Sequence, residues 1–205
     1  GSLLAHLGMS GNFQLVDASS PLRNHTHLRL DLENGRQLRF VDPRRFGFVD
    51  WLEPGEEVED RSLVTLGIEP LDTRLDEDMP PLFHVRRAPL KSLLLDQRLI
   101  AGIGNIYAVE ALWRAGIHPR RAGNRTSLSR LALLAHAVQE VLAEAITQGG
   151  TTLRDFAGTD GEAGYFAVKL SVYGRQGEPC MKCGATIRAA VIGGRTTAWC
   201  SRCQR

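Results

Sequence analysis

An α+β architecture in three consecutive parts is expected from three patterns. Residues 1–52 alternate apolar and polar side chains with the period of strands, and Leu131 to Ala145 repeats its apolar residues with the period of a helix. The last stretch holds all four cysteines, as Cys180-Met-Lys-Cys183 and Cys200-Ser-Arg-Cys203. Each C-x-x-C pair can turn two thiolates toward one ion, and two pairs supply the tetrahedral sulfur shell that Zn²⁺ prefers. Disulfides or a redox dithiol are the alternative. Redox chemistry needs only one such pair, in a βαβ setting, and a secreted disulfide scaffold does not leave 179 residues without a cysteine. One structural Zn²⁺ on Cys180, Cys183, Cys200 and Cys203 is therefore expected, its shell closed and without chemistry of its own.

Along the first part, Leu3 to Leu7 enters directly as a strand. Leu28-Arg-Leu30-Asp-Leu32 alternates, Glu33-Asn34-Gly35-Arg36 is a hairpin turn, and Gln37 to Val41 returns. Phe48 to Leu52 is a further strand, so the part reads as antiparallel β within a sandwich. Glu53 to Asp78 is an acidic connector broken by Pro54-Gly55 and Pro70. Residues 79–157 are expected to be helical. Pro89 opens a helix with Leu90, Leu93 and Leu94, and the turn Ala101-Gly102-Ile103-Gly104 leads into a second, from Asn105 to about Ala115. Ser129 caps a long helix with Leu131, Leu134, Ala135, Val138, Val141, Leu142 and Ala145 on one face. Gly149-Gly150 stops it, Thr151-Thr152 caps a short one, and Asp160 to Gly164 is a loop before the ribbon. The expected domains are residues 1–66, 67–157 and 158–205.

The chain has 205 residues, 43% of them apolar, enough for a real core. No apolar run approaches membrane length, and thiols in zinc spacing suit the cytoplasm. The net charge of +2 hides a segregation: Glu53 to Asp78 carries ten acids and two arginines, leaving +10 for the rest. Ser171 to Arg205 has six Lys/Arg and one acid. A basic zinc hairpin favours a phosphate partner, although a hairpin kept soluble by its arginines has the same composition.

Several stretches carry a resemblance when taken in order. They are His6-Leu-Gly-Met9-Ser-Gly11, Asp42-Pro-Arg44-Arg45-Phe46-Gly47, Gly102-Ile-Gly-Asn105-Ile-Tyr-Ala108, Gly149 to Phe156, and Tyr173-Gly-Arg-Gln-Gly-Glu-Pro-Cys180. With the zinc ribbon they make the chain resemble the formamidopyrimidine-DNA glycosylases, bifunctional glycosylase/abasic-site lyases that excise oxidised purines. The sister branch, the endonuclease VIII-like glycosylases, shares the helical module and the ribbon. The resemblance implies a partial antiparallel β-sandwich, a helix-two-turn-helix domain and a four-cysteine ribbon. It implies a nucleoid-associated, bacterial-type monomer whose partner is duplex DNA with an oxidised purine or an abasic site, and no membrane.

Such an enzyme extrudes a base from the stack and must fill the hole. The resemblance gives that work to Met9, Arg44 and Phe46, an adaptable filler, a donor to the orphaned base and a wedge. Without the family, Met9 and Phe46 would be read as core and Arg44 as part of an ordinary turn. Asn105, at a helix N-terminus after a glycine turn, meets phosphate or simply caps the helix. His6, His25, Arg86, Lys91 and Tyr173 match DNA-contacting positions, with Arg86 where lysine is expected, and His27 looks structural. Arg195 matches a ribbon-tip arginine that grips phosphate and serves a second elimination step. Asp160 to Gly164 and Tyr165 match a loop that covers the flipped base, or are a plain linker.

The family's nucleophile is an N-terminal proline amine, with an adjacent glutamate as acid/base and a lysine further on. All three precede the His-Leu-Gly-Met motif, so this chain is expected to lack them. Gly1 and Glu110 are poor substitutes, and Glu110 suits a structural role. On that reading the 205 residues alone are inactive and behave as a damaged-DNA-binding remnant, prone to association through exposed sheet edges.

Overall fold

The computed structural model describes residues 1–148 and 170–205. Gly1–Leu63 belongs to one compact unit, and Val64–Glu144 forms a second together with the C-terminal ribbon. The expected short helix after Thr151, the loop at 160–165 and the stop at Gly149-Gly150 lie outside the described residues.

The first unit is antiparallel β, in two sheets. β1 (Ser2–His6) pairs with β5 (Phe48–Leu52). In the other sheet β4 (Arg36–Val41) is central, between β2 (Asn12–Asp17) and β3 (Thr26–Asp31). The alternation of β3 is visible in its burial, with Leu28 and Leu30 half-buried and His27 and Arg29 exposed. Leu32 leaves the strand because it opens the turn: its N–H donates to Arg36 O at 2.9 Å, and Gly35 takes φ 76°. Arg39, on the central strand, is buried, and its guanidinium donates to Gln37 Oε1, Pro21 O and Ser20 O at 2.8–2.9 Å. A charge can sit there because every donor direction shown is answered.

The acidic connector is shorter than expected. After a 3₁₀ turn at Glu56–Val58 and the brief α1 (Arg61–Val64), α2 runs from Leu75 to His84. Asp76, Glu77 and Asp78 therefore form the first turn of a helix, where the dipole favours acids. Pro80 and Pro81 lie inside it, within the range expected to be helical, and its first turn is what the connector reading concealed.

The rest of the helical unit follows the expected order. Pro89 is the N-cap of α3 (Leu90–Leu94), and α4 spans Asn105–Arg114 after Gly104. The turn before α4 has Gly102 at φ 70°, a left-handed position that a side chain disfavours. α5 spans Leu128–Thr147, and all seven residues expected on its apolar face are buried. Its cap is Ser127 rather than Ser129: the Ser127 carbonyl accepts from Leu131 N at 3.0 Å, and its Oγ lies 3.4 Å from Arg130 N. Both serines are cap-forming types, and only the register of the first turn distinguishes them.

The ribbon is β6 (Ile187–Ile192) against β7 (Arg195–Cys200), closed by Gly193-Gly194. Both glycines have positive φ, 60° and 73°, as the tight hairpin turn that matches strand twist requires.

Candidate nucleic-acid interface and zinc centre

In the first unit, two turns are locked together by one carboxylate. Asp42 is 1% exposed. Its Oδ1 accepts from Ser10 Oγ at 2.6 Å and from Arg44 N at 3.2 Å, and its Oδ2 accepts from Gly47 N at 2.8 Å. The Ser10 bond above all, with the backbone donors, holds the Asp42 carboxyl below its usual range against the opposing effect of burial. The Ser10 hydroxyl oxygen also accepts from Arg44 N at 3.2 Å. Gly8, at φ 62°, lets the turns touch, since a Cβ there would stand 2.6 Å from the Phe46 carbonyl carbon.

This lock brings together Met9, Arg44 and Phe46 and leaves them in solvent. Met9 and Phe46 are each 57% exposed, and the Arg44 guanidinium lies 4.9 Å from the Phe46 ring centroid. They are not core residues, so the reading drawn from residue type alone fails here. His6 is exposed and stacks on Phe48 at 5.7 Å. His25 is exposed at φ 67°, and its carbonyl accepts from Asp42 N at 3.0 Å, tying it to the same turn. His27 Nε2 donates to Asp42 O at 2.9 Å, the structural role expected of it. Asp42 and Ser10 were the residues not singled out in the sequence. The only signal was their position beside Met9 and Arg44.

In the second unit, α3, α4 and the ribbon are bolted together by buried polar groups. Lys91 is 0% exposed, and its Nζ donates to Ile192 O at 2.9 Å, Arg195 O at 3.2 Å and Thr197 Oγ1 at 2.5 Å. Burial, and then the charge of Arg195, lower its pKa to about 8. The expected phosphate contact by Lys91 is thus corrected: its three donors are used inside the protein, where they fix the turn that carries Arg195. Arg195 itself is exposed at the hairpin tip. Asn105, at the start of α4, donates from Nδ2 to Thr196 O at 2.9 Å, while its Oδ1 is buried without a partner. The first turn of α4 therefore opens beside the ribbon tip. Arg86 is half-buried and donates from Nη1 to Leu82 O.

Glu110 is the second brace. It is 2% exposed, and its carboxylate accepts from Ser171, Val172 and Tyr173 N, each at 2.9 Å. The segment carrying half-buried Tyr173 is thereby held to α4, and Glu110 has the structural role the sequence suggested. Gln204, also unforeseen, donates to Ile117 O at 2.9 Å and accepts from Cys200 N at 2.8 Å, joining the ribbon's base to the end of α4.

The four cysteines form one cluster, with all Sγ atoms within 4.8 Å of one another. Cys180 and Cys203 Sγ are 3.9 Å apart, and Cys183 and Cys200 Sγ are 3.5 Å apart. A ZnS₄ tetrahedron with bonds of ~2.3 Å has sulfur–sulfur edges of ~3.8 Å, so the residues fit the ion. All four thiols are free, which removes the disulfide alternative. Cys203 N lies 3.4 Å from Cys200 Sγ as a donor, and Trp113 and Val172 pack the cluster's inner side.

A helix N-terminus and a basic hairpin tip fixed side by side, over a sulfur-bound metal site, define a DNA-binding protein of the helix-two-turn-helix and zinc-ribbon class. The comparisons narrow this further. Residues 1–49 match the model of the formamidopyrimidine-DNA glycosylase N-terminal domain, 66–157 that of the formamidopyrimidine-DNA glycosylase H2TH domain, and 177–205 the zinc finger found in FPG and IleRS. The formamidopyrimidine-DNA glycosylase of Stenotrophomonas maltophilia is 50% identical over 208 residues, covering 100% of this chain and 76% of that protein. The crystal structure of MutM (Fpg) from Thermus thermophilus has a TM-score of 0.89 at 43% identity, covering 98% of this chain and 75% of that one. A complex between Lactococcus lactis Fpg and DNA containing an abasic site has a TM-score of 0.89 at 33% identity, covering 99% and 74%. The chain belongs to the formamidopyrimidine-DNA glycosylase family. The N-terminal-domain match begins at residue 1 and lends no support to the expected loss of that domain's catalytic segment. Among the described residues, no helix is long and apolar enough to cross a membrane.

Proposed function

We propose that this protein excises oxidised purines from duplex DNA and cleaves the strand at the resulting abasic site. The observation that carries the reading is the trio Met9, Arg44 and Phe46, held solvent-exposed by a buried carboxylate. Two large apolar side chains at 57% exposure, on turns fixed from beneath, suit insertion into a vacated base stack. Met9 fills irregular space, Phe46 wedges a base step, and Arg44 donates to the partner base. His6 and His25, displayed on the same unit, contact the backbone beside the lesion.

The second unit supplies the grip. Arg195 forks onto one phosphate, the N–H groups at Asn105 donate to another, and Tyr173 and Arg86 extend the contact. Arg195 also assists the second elimination. Zn²⁺ on the four thiolates would hold the ribbon closed and stay out of the reaction. Lys91 and Glu110 position these groups from inside. The lesion class follows from the family to which the chain belongs.

The test compares the wild-type protein with Met9→Ala/Phe46→Ala on duplexes carrying 8-oxoguanine opposite cytosine, an abasic-site analogue, or no lesion. The wild type is expected to prefer the damaged duplexes at least tenfold. The variant should lose most of that preference and keep its undamaged-DNA affinity. Borohydride present with the 8-oxoguanine duplex should trap a covalent adduct. Equal binding to all three duplexes, with no adduct, would reject the reading.

A further inference from the structure

A concave feature of the second unit lies away from the ribbon tip. A cleft of about 850 Å³ opens where the chain leaves α4 and the ribbon ends, and Arg87, Arg120, Arg121, Arg125 and Arg205 line it. Among the described residues, no acidic side chain lines it. Among the described residues, none of these five guanidinium groups lies in an ion pair with a carboxylate.

Five guanidinium groups around one hollow repel one another, and a hollow of single sign focuses its field on whatever enters. The wall is built rather than loose. Arg121 Nη2 donates to Arg125 O at 2.8 Å, while Arg121 Nε is buried with no partner. Arg130, packed behind, donates to Gly116 O and Arg205 O at 3.1 and 3.0 Å, and is lowered from its usual value by burial and then by the Arg121 charge. Asn124 adds an amide to the lining.

The cleft is also separate from the tip. Asn105, at the start of α4, touches the tip at Thr196, whereas the cleft lies past the other end, where Arg205 N donates to Gly116 O at 3.1 Å. Ten helical residues put about 15 Å between those ends.

We infer that this arginine cleft is a second anion site that binds closely spaced phosphate groups. Guanidinium forks suit phosphate oxygens because each fork can make two parallel charge-assisted bonds, and several forks around one hollow match a group of higher charge than a single carboxylate. The phosphates come either from a DNA backbone outside the lesion footprint or from a free polyphosphate compound.

The test uses Arg120→Ala/Arg125→Ala in the zinc-loaded protein, since both side chains are exposed and the fold does not depend on them. Inorganic pyrophosphate binding is read by calorimetry, and the salt dependence of binding is read on an undamaged duplex. Pyrophosphate affinity should fall at least tenfold in the variant and stay unchanged in Arg29→Ala, at an exposed arginine of β3. If DNA reaches the cleft, the slope of log affinity against log salt also falls by about two contacts. A slope that holds while pyrophosphate binding is lost assigns the cleft to a free compound. Both readouts unchanged would overturn the proposal.

Discussion

At the scale of single residues, the useful surprise is how much of the interface is held from beneath. Lys91 was expected to contact phosphate because its place in the sequence matches a DNA-contacting position of the family the chain resembles. Burial cannot be read from residue type, and three acceptors from a segment a hundred positions away cannot be seen locally. Lys91→Ala would leave those acceptors unanswered in a dry site and should cost about 2–4 kcal/mol. Thermal unfolding checks it, and an unchanged melting temperature would show that the bolt carries nothing. The pH dependence follows from its pKa of about 8. The native state loses this proton before the unfolded state does, so stability should rise from about pH 8 to about pH 10.5. Lys91→Met should flatten that rise.

At the scale of elements, the ribbon is expected to depend on zinc at the four-cysteine cluster and the helices are not. The α5 face was legible because seven apolar residues kept helical spacing, and the ribbon was legible because C-x-x-C spacing has few other uses. The start of α2 was not, because its three acids closed a connector broken by Pro54 and Pro70, although acids suit a first turn. Cys200→Ser, or chelation, should release zinc and unfold β6 and β7 while α5 keeps its helical signal. Circular dichroism and cysteine accessibility follow the two separately. A ribbon that stayed protected without metal would contradict the zinc assignment.

At the scale of the whole molecule, the sequence motifs matter as an ordered set. Met9 and Phe46 taken singly read as core, and only the set of motifs in order turned them into surface tools. The role of Asp42 was hidden because it is a tertiary fact, one carboxylate answering donors from two turns. The phosphate contacts proposed for the second unit should be separable from lesion reading. Arg195→Ala should weaken binding to damaged and undamaged duplexes alike and reduce the salt slope by about one contact; a changed lesion preference at constant slope would place Arg195 elsewhere. The most direct test of the central claim is whether the exposed trio enters the duplex. A 2-aminopurine placed opposite an abasic-site analogue reports stacking of the orphaned base. On binding, the wild-type protein should change its fluorescence strongly, and Arg44→Ala/Phe46→Ala should abolish most of that change at saturating protein. An equal change in the variant would contradict the account, because the hole would then be filled by something other than these residues.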